Sequence, residues 1–334
     1  MITIAKNPAK AQEYADLILT SKGNYISPLD KLNNWNGNLS NEEQEVLDYL
    51  IQNLRKLLVA EPEEQQEIID SFKEDTGGTS FQDRIYDSVS GNLTPFGEGI
   101  KKKFNYEGFR SSAKAIWLAK QIPVKSCPYC NAQYTLSVKQ KNAKTKLLFH
   151  LDHYYPKSVY PYLSLSFYNL IPSCASCNMS KSDEPFSLSD FLHPYVNSVD
   201  DIARYETDKG NLVKFLTDMN NFEEYINLTL ELREQFLGDA KWREKLEKYK
   251  KMFKVESQYN EFKDVVAETY LKGIFYSKSR KDELVDFFKD HQNITLTEEM
   301  INRFIIGNYT DKEDLLKRPL AKMMRDISED FGLL

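Results

Sequence analysis

No stretch of this 334-residue chain approaches 18 consecutive apolar residues, so no transmembrane helix is expected. The opening segment, through Leu19, lacks a basic stretch leading into an apolar one and lacks a small-residue cleavage site. A soluble cytoplasmic protein, away from membranes, is the expectation. No sequence repeat and no low-complexity tract is found. Cysteine is scarce, at 4 residues, and histidine is equally so. Hydrophobic residues make up 41% and aromatics 13%, enough to bury a core and exclude wholesale disorder.

The few cysteines are not scattered. They form two pairs, Cys127-Pro-Tyr-Cys130 and Cys174-Ala-Ser-Cys177. Without a secretion signal, disulfides are not expected. Two C-x-x-C knuckles supply four thiolates, the complement of one tetrahedral structural zinc, with no cysteine left over. A thioredoxin-type redox site needs one pair beside a βαβ pattern, and no such pattern is present.

The net charge is −6, which at first argues against nucleic acid. The distribution reverses that reading. Residues 101–183 carry 13 Lys and Arg against 3 Asp and Glu, a local net of +10, leaving −16 for the rest. A basic block framed by acidic flanks implies one surface facing a polyanion.

Three consecutive regions are expected. Residues 1–120 read as helical. Ser40 and Glu43 form a capping box ahead of Val46, Leu47, Leu50, Ile51, Leu54, Leu57 and Leu58 at helical spacing. Pro62 opens a second helix. Thr76–Thr79 and Ser90–Pro95 read as loops, and 111–121 as a short helix. Residues 121–195 change character. Gln133–Val138 and Thr145–Leu151 read as a β-hairpin, and Cys174–Ser182 as a short helix. Residues 196–334 read as helical again, including 219–237, 241–254, 258–288, a helix from Thr297, and 311–331. The expected fold class is mainly α with a small α+β insert.

The chemistry lies in the insert. His150-Leu-Asp152-His153 is followed by Asn169, Asn178 and Lys181, and three of the four histidines fall between 150 and 193. Phosphodiester hydrolysis needs a base near neutrality to deprotonate water, which suits His. It also needs a divalent cation on the phosphate, held by hard oxygen donors. Asp152 and Asn178 supply a carboxylate and an amide oxygen. A regular strand would project Asp152 and His153 to opposite sides, so the following loop must twist for both to reach one phosphate.

Asp152-His153, Asn169-Leu170 and Cys177-Asn178-x-x-Lys181, bracketed by two C-x-x-C pairs, resemble the HNH endonucleases, the ββα-metal or His-Me finger nucleases. The strings His-Leu-Asp-His-Tyr-Tyr-Pro-Lys-Ser and Ser-Cys-Ala-Ser-Cys-Asn are most similar to HNH proteins of bacterial anti-phage systems of the Septu type. The resemblance covers residues 125–195. It implies a zinc-bound, treble-clef-like ββα-metal core with Cys127, Cys130, Cys174 and Cys177 as structural zinc ligands. His153 matches the general base, and Asn169 the middle Asn that orients that base through the backbone. Asp152 and Asn178 match the ligands of a catalytic Mg²⁺ or Mn²⁺. Lys181 matches a basic position beside the scissile phosphate. The implied activity is metal-dependent cleavage of nucleic acid, DNA before tRNA, in anti-phage defence beside an ATPase partner.

Other residues admit two readings. His150 fits a metal or phosphate contact as well as strand packing. His193 reads as structural and His291 as surface. Tyr154, Tyr155 and Tyr160 suit core packing more than base stacking. Lys139, Lys141, Lys144 and Lys146 form either phosphate contacts or a solvated turn, and in the latter case the basic surface falls to Lys101, Lys102, Lys103, Arg110 and Lys114. The alternative function is a zinc-knuckle module that binds nucleic acid or protein without cutting. A zinc hydrolase is disfavoured, because four thiolates leave the metal no open position.

Overall fold

The computed structural model describes residues 1–74, 80–141, 145–292 and 296–334. The fold is mainly helical, with four two-stranded antiparallel sheets among the described residues. These pair β1 (Tyr86–Asp87) with β2 (Asn92–Leu93), and β3 (Ser137–Lys139) with β4 (Thr145–Leu147). They also pair β5 (His150–His153) with β6 (Leu170–Ser173), and β7 (Ala203–Thr207) with β8 (Leu228–Leu232). Among the described residues no helix is long and apolar enough to cross a membrane.

The chain forms two compact units, and they do not follow the three consecutive regions expected. One comprises 4–123 and 136–196. The other comprises 1–3, 124–135 and 197–334. The second includes the first knuckle because 124–135 is tied to the C-terminal half by backbone and tyrosine hydrogen bonds. The Leu316 carbonyl accepts from the amides of Lys125 and Ser126 at 2.8 and 3.0 Å. The hydroxyls of Tyr249 and Tyr259 donate to the carbonyls of Tyr129 and Cys130 at 2.6 and 2.7 Å. None of these partners is near in sequence, so spacing along the chain does not reveal the grouping.

In the unit containing 4–123, the capping box forms: Ser40 Oγ accepts from Glu43 N, and the Glu43 carboxylate accepts from Ser40 N. The helix Asn41–Val59 buries Val46, Leu47, Leu50, Leu54, Leu57 and Leu58. The helix Pro62–Lys73 starts at its proline and buries Ile68, Ile69 and Phe72. This apolar layer supports the loop between β5 and β6: Phe72 packs on Tyr162 at 4.6 Å and Tyr14 on Phe167 at 5.6 Å, while the Tyr14 hydroxyl donates to Leu165 O at 2.9 Å. Residues 76–79 lie outside the described residues. Part of the expected 90–95 loop is strand β2, and Thr94 caps the helix Pro95–Phe104.

The expected hairpin is real but shorter, and its second strand is divided. Thr145–Leu147 pairs back on β3, whereas His150–His153 pairs with β6. The break falls at Phe149, whose carbonyl accepts from Arg110 Nη2 at 2.6 Å.

In the other unit, 219–237 is not one helix. Leu228, Leu230 and Leu232 alternate inward on β8, a period-2 pattern that helical spacing overlooked. The 258–288 segment is likewise broken, into Val255–Asn260, Lys263–Phe275 and Lys278–Gln292. The helix Ala321–Asp330 packs against β7 around buried ions. Lys322 Nζ lies 2.6 Å from Asp326 and 3.2 Å from Asp200, and Arg325 pairs with both carboxylates. Each buried charge thus has a partner of opposite sign, which such burial requires.

Candidate active site and metal centre

β5, β6 and the helix Ala175–Lys181 follow one another in space as strand, strand and helix, with 154–169 looping between the strands. In that register His153 pairs with Leu170 and Asp152 with Ile171. A cavity of about 470 Å³ opens against this unit, lined by Asp152 and His153 of β5, Asn178 of the helix, and also His150, Tyr106 and Lys157. Asp152 and His153 meet the same cavity despite being strand neighbours.

His153 is 8% exposed. Its Nε2 lies 2.9 Å from the Ser164 carbonyl oxygen. A carbonyl only accepts, so Nε2 carries the hydrogen and Nδ1 keeps its lone pair. Burial pushes the imidazole pKa down to about 3, against the pull of the Ser164 carbonyl. The ring is therefore neutral at pH 7 and populated in its accepting form. Tyr106 braces it edge-on at 4.3 Å and donates its own hydroxyl to Leu151 O at 2.7 Å.

Asn169 is fully buried and spends its whole amide on the loop. Oδ1 accepts from Tyr155 N at 2.7 Å, and Nδ2 donates to Tyr155 O at 3.1 Å and Leu163 O at 2.9 Å. Leu163 precedes Ser164, so Asn169 sets the position of the carbonyl that orients His153.

Lys181 departs from its expected place beside a phosphate. It is 1% exposed and is not among the residues lining the cavity. Its Nζ donates to the His153 carbonyl at 2.6 Å and lies 3.6 Å from Asp152 Oδ2 and 4.8 Å from the Phe186 ring. Burial lowers its pKa, and Asp152 opposes that. As the last residue of a seven-residue helix, Lys181 reaches back under β5 and anchors the helix to the strand.

His150 is exposed at the cavity wall, where Asp152, two residues on, also lies. His193 is buried: Nδ1 accepts from Tyr195 N at 3.0 Å and the ring packs on Tyr154 at 3.9 Å. Tyr154, Tyr155 and Tyr160 are core residues. The His291 side chain lies outside the described residues. Lys139, Lys141 and Lys146 are exposed on the hairpin, and Lys144 lies outside the described residues. Of the alternative basic set, Arg110 is engaged by Phe149, and Lys114 lies 3.9 Å over the Tyr25 ring. Sequence reasoning does not single out Tyr106 or Lys157 as site residues. Lys157 does sit in the quoted Pro-Lys-Ser string, but nothing local marks Tyr106.

All four cysteines are buried. Their sulfurs lie within 4.8 Å of one another, the one all-cysteine group of metal-ligating side chains among the described residues. A tetrahedral zinc with sulfur at about 2.3 Å spans about 3.8 Å between sulfurs, so the group fits. Two backbone amides already face sulfur: Ala132 N donates to Cys130 Sγ and Cys177 N to Cys174 Sγ, each at 3.4 Å. Such donors favour thiolates. Asn131, at φ +53°, turns the first knuckle and donates its amide to Ser126 Oγ and Leu315 O. A buried four-cysteine group able to hold a structural zinc is thus present.

No model of a known protein family matches the chain, and no solved structure matches it. Among curated proteins, Protein ea31 of Escherichia phage lambda is 31% identical over 74 residues, which is 21% of this chain and 21% of that protein. The chain spans about a fifth of the length of the relative it matches, and that relative's name states no activity.

Proposed function

We propose that this protein is a metal-dependent HNH endonuclease that hydrolyses phosphodiester bonds in nucleic acid, with DNA favoured over tRNA. The observation that carries the reading is the shared cavity of Asp152, His153 and Asn178, with Asn169 fixing the loop that orients His153. β5, β6 and the helix Ala175–Lys181 are read as the ββα-metal core, with the four-cysteine group as its structural zinc centre.

His153 takes a proton from water at Nδ1, while the Ser164 carbonyl steadies the charge that then appears on the ring. Burial keeps the imidazole in its accepting form at neutral pH and makes it a weaker base than the near-neutral group expected from sequence. The Asp152 carboxylate and the Asn178 amide oxygen are hard donors suited to Mg²⁺ or Mn²⁺. When bound, such a cation neutralises charge on the phosphate and the leaving oxygen. Lys181 holds Asp152 and the His153 carbonyl in register. A role as an effector of anti-phage defence, with an ATPase partner, rests on the resemblance of the motif strings.

Nicking of supercoiled plasmid in Mg²⁺ or Mn²⁺ tests the reading, with tRNA assayed in parallel. Cleavage by the wild-type protein, blocked by EDTA and lost in His153→Ala, is expected. Binding of DNA and RNA with no cleavage under any divalent cation overturns it in favour of a zinc-knuckle binding module.

A further inference from the structure

We propose that Lys157 takes the scissile phosphate in this cavity, with Glu107 holding its ammonium until the phosphate arrives. The proposal rests on the endonuclease reading above and adds to it a substrate-contacting residue.

Eleven residues line the cavity, and Lys157 alone among them is a lysine or arginine. The permanent charges it faces there are the carboxylates of Asp152 and Asp183. A phosphodiester entering beside two carboxylates is repelled by them, and a protein cation on the same cavity offsets that repulsion together with a bound metal. Lys181 does not serve, because its ammonium is buried on the His153 carbonyl and Asp152.

The backbone under Lys157 is fixed. The Pro156 carbonyl accepts from Val159 N at 3.0 Å and Tyr160 N at 2.8 Å, closing a tight turn. One residue earlier, Tyr155 is held at both its amide and its carbonyl by Asn169. Asn169, which orients the base, thus also places the cation, four positions after His153 in the chain.

The side chain is directed as well. Lys157 Nζ lies 4.8 Å from the centre of the Tyr106 ring, and that ring meets His153 at 4.3 Å. Cation and base stand against one aromatic ring. Nζ is paired with the Glu107 carboxylate, which is 67% exposed and does not line the cavity. Exposed ion pairs hold weakly. A phosphate oxygen close to a bound metal competes well against such a partner, so Glu107 is a parking place that solvent screens.

The test uses the full chain with zinc, comparing Lys157→Ala, Lys157→Arg and Glu107→Gln. Plasmid nicking in Mg²⁺ or Mn²⁺ gives kcat/KM. Binding of an oligonucleotide duplex in Mg²⁺, measured in a His153→Ala background so that nothing is cut, across a monovalent-salt series, gives the number of phosphate contacts. Lys157→Ala is expected to cut about 10²-fold more slowly, the loss typical of one transition-state contact. Its log–log salt slope is expected to fall by about 0.9, one phosphate contact. Lys157→Arg restores most of both, and Glu107→Gln binds duplex more tightly than wild type.

Wild-type rate and slope in Lys157→Ala, with His153→Ala inactive, overturn the Lys157 assignment and leave the endonuclease reading standing. A slower rate with an unchanged slope also overturns it, because Lys157 then acts only by bracing Tyr106. A changed slope at wild-type rate places its phosphate away from the scissile one and overturns it too. A wild-type protein that neither cuts nor binds nucleic acid removes both readings together.

Discussion

The Ser164 carbonyl accepts the Nε2 hydrogen of His153 at 2.9 Å, and Asn169 holds the preceding carbonyl of Leu163 at the same distance. The His153 ring is therefore oriented by a loop rather than by its own strand. Loop position is a quantity that mutation can shift without touching the imidazole.

Asn169→Ala removes three hydrogen bonds and leaves Tyr155 N and Tyr155 O buried without those partners, while Leu163 O keeps its bond from Ser166 N. Each group left so typically costs about 1–3 kcal/mol, so a loss of at least ~2 kcal/mol in urea unfolding is expected. In whatever fraction stays folded, cleavage should drop by about 10²-fold, the usual penalty for a base displaced by about 1 Å. Asn169→Ala cutting at the wild-type rate per folded molecule would show that the loop does not set the base.

Cys174→Ser should lower bound zinc well below one per chain and reduce thermal stability. In small zinc domains metal binding supplies on the order of 10–16 kcal/mol of folding energy. Metal analysis of the wild type giving no zinc, with four thiols titrating freely in the native state, would refute the centre.

Protonation of His193 is predicted to weaken the fold in acid. Its pKa is held well below 6.5 by burial, with Lys6 and Lys181 adding to the effect. Its Nδ1 accepts from Tyr195 N, so a proton there would also break that bond. In the unfolded chain the ring takes up a proton near pH 6.5, and in the folded chain it does not. Stability is present above that pH and declines below it, by about 1.4 kcal/mol per pH unit for this one group. His193→Asn should narrow its stability gap to wild type between pH 7.5 and 5, as followed by urea midpoints. Parallel curves would sink the idea.

Changing Lys139, Lys141 and Lys146 together to Ser tests whether the exposed hairpin reaches nucleic acid. If all three contact phosphate on a duplex, the log–log salt slope should flatten by about 2.7. Zinc content and thermal stability should barely move, since exposed lysines hold little structure. An unchanged slope assigns the basic surface to Lys101, Lys102 and Lys103.

The parts legible from sequence are those with local causes. The Ser40 and Glu43 capping box lies within one turn, and the cysteine pairs carry their own spacing. Asp152, His153 and Asn178 stand out because their donor types suit the chemistry and their order resembles that of the HNH endonucleases. The parts that sequence conceals depend on distant partners. Leu228, Leu230 and Leu232 make a strand through pairing with Ala203–Thr207, some twenty residues away, and charged neighbours give the segment a helical appearance. Lys181 stands three positions after Asn178, yet spacing does not reveal that its ammonium folds under His153. Tyr106 braces the His153 ring from a helix 47 residues upstream, and no local pattern announces such a contact.

The helix Ala175–Lys181 has only seven residues, too few to persist alone in water. It is pinned at its first turn by Cys174, whose sulfur accepts from Cys177 N, and at its last residue by Lys181. Ala175, Ser176, Met179 and Ser180 carry no share of that pinning and face solvent. Met179, 71% exposed, also lines the cavity beside Asn178. On the proposed endonuclease reading, changes at this outer face retune which strands or sequence contexts are accepted, while the anchored ends keep the helix folded. Under that reading, diversification of target choice and preservation of the site's frame are separated on one short helix.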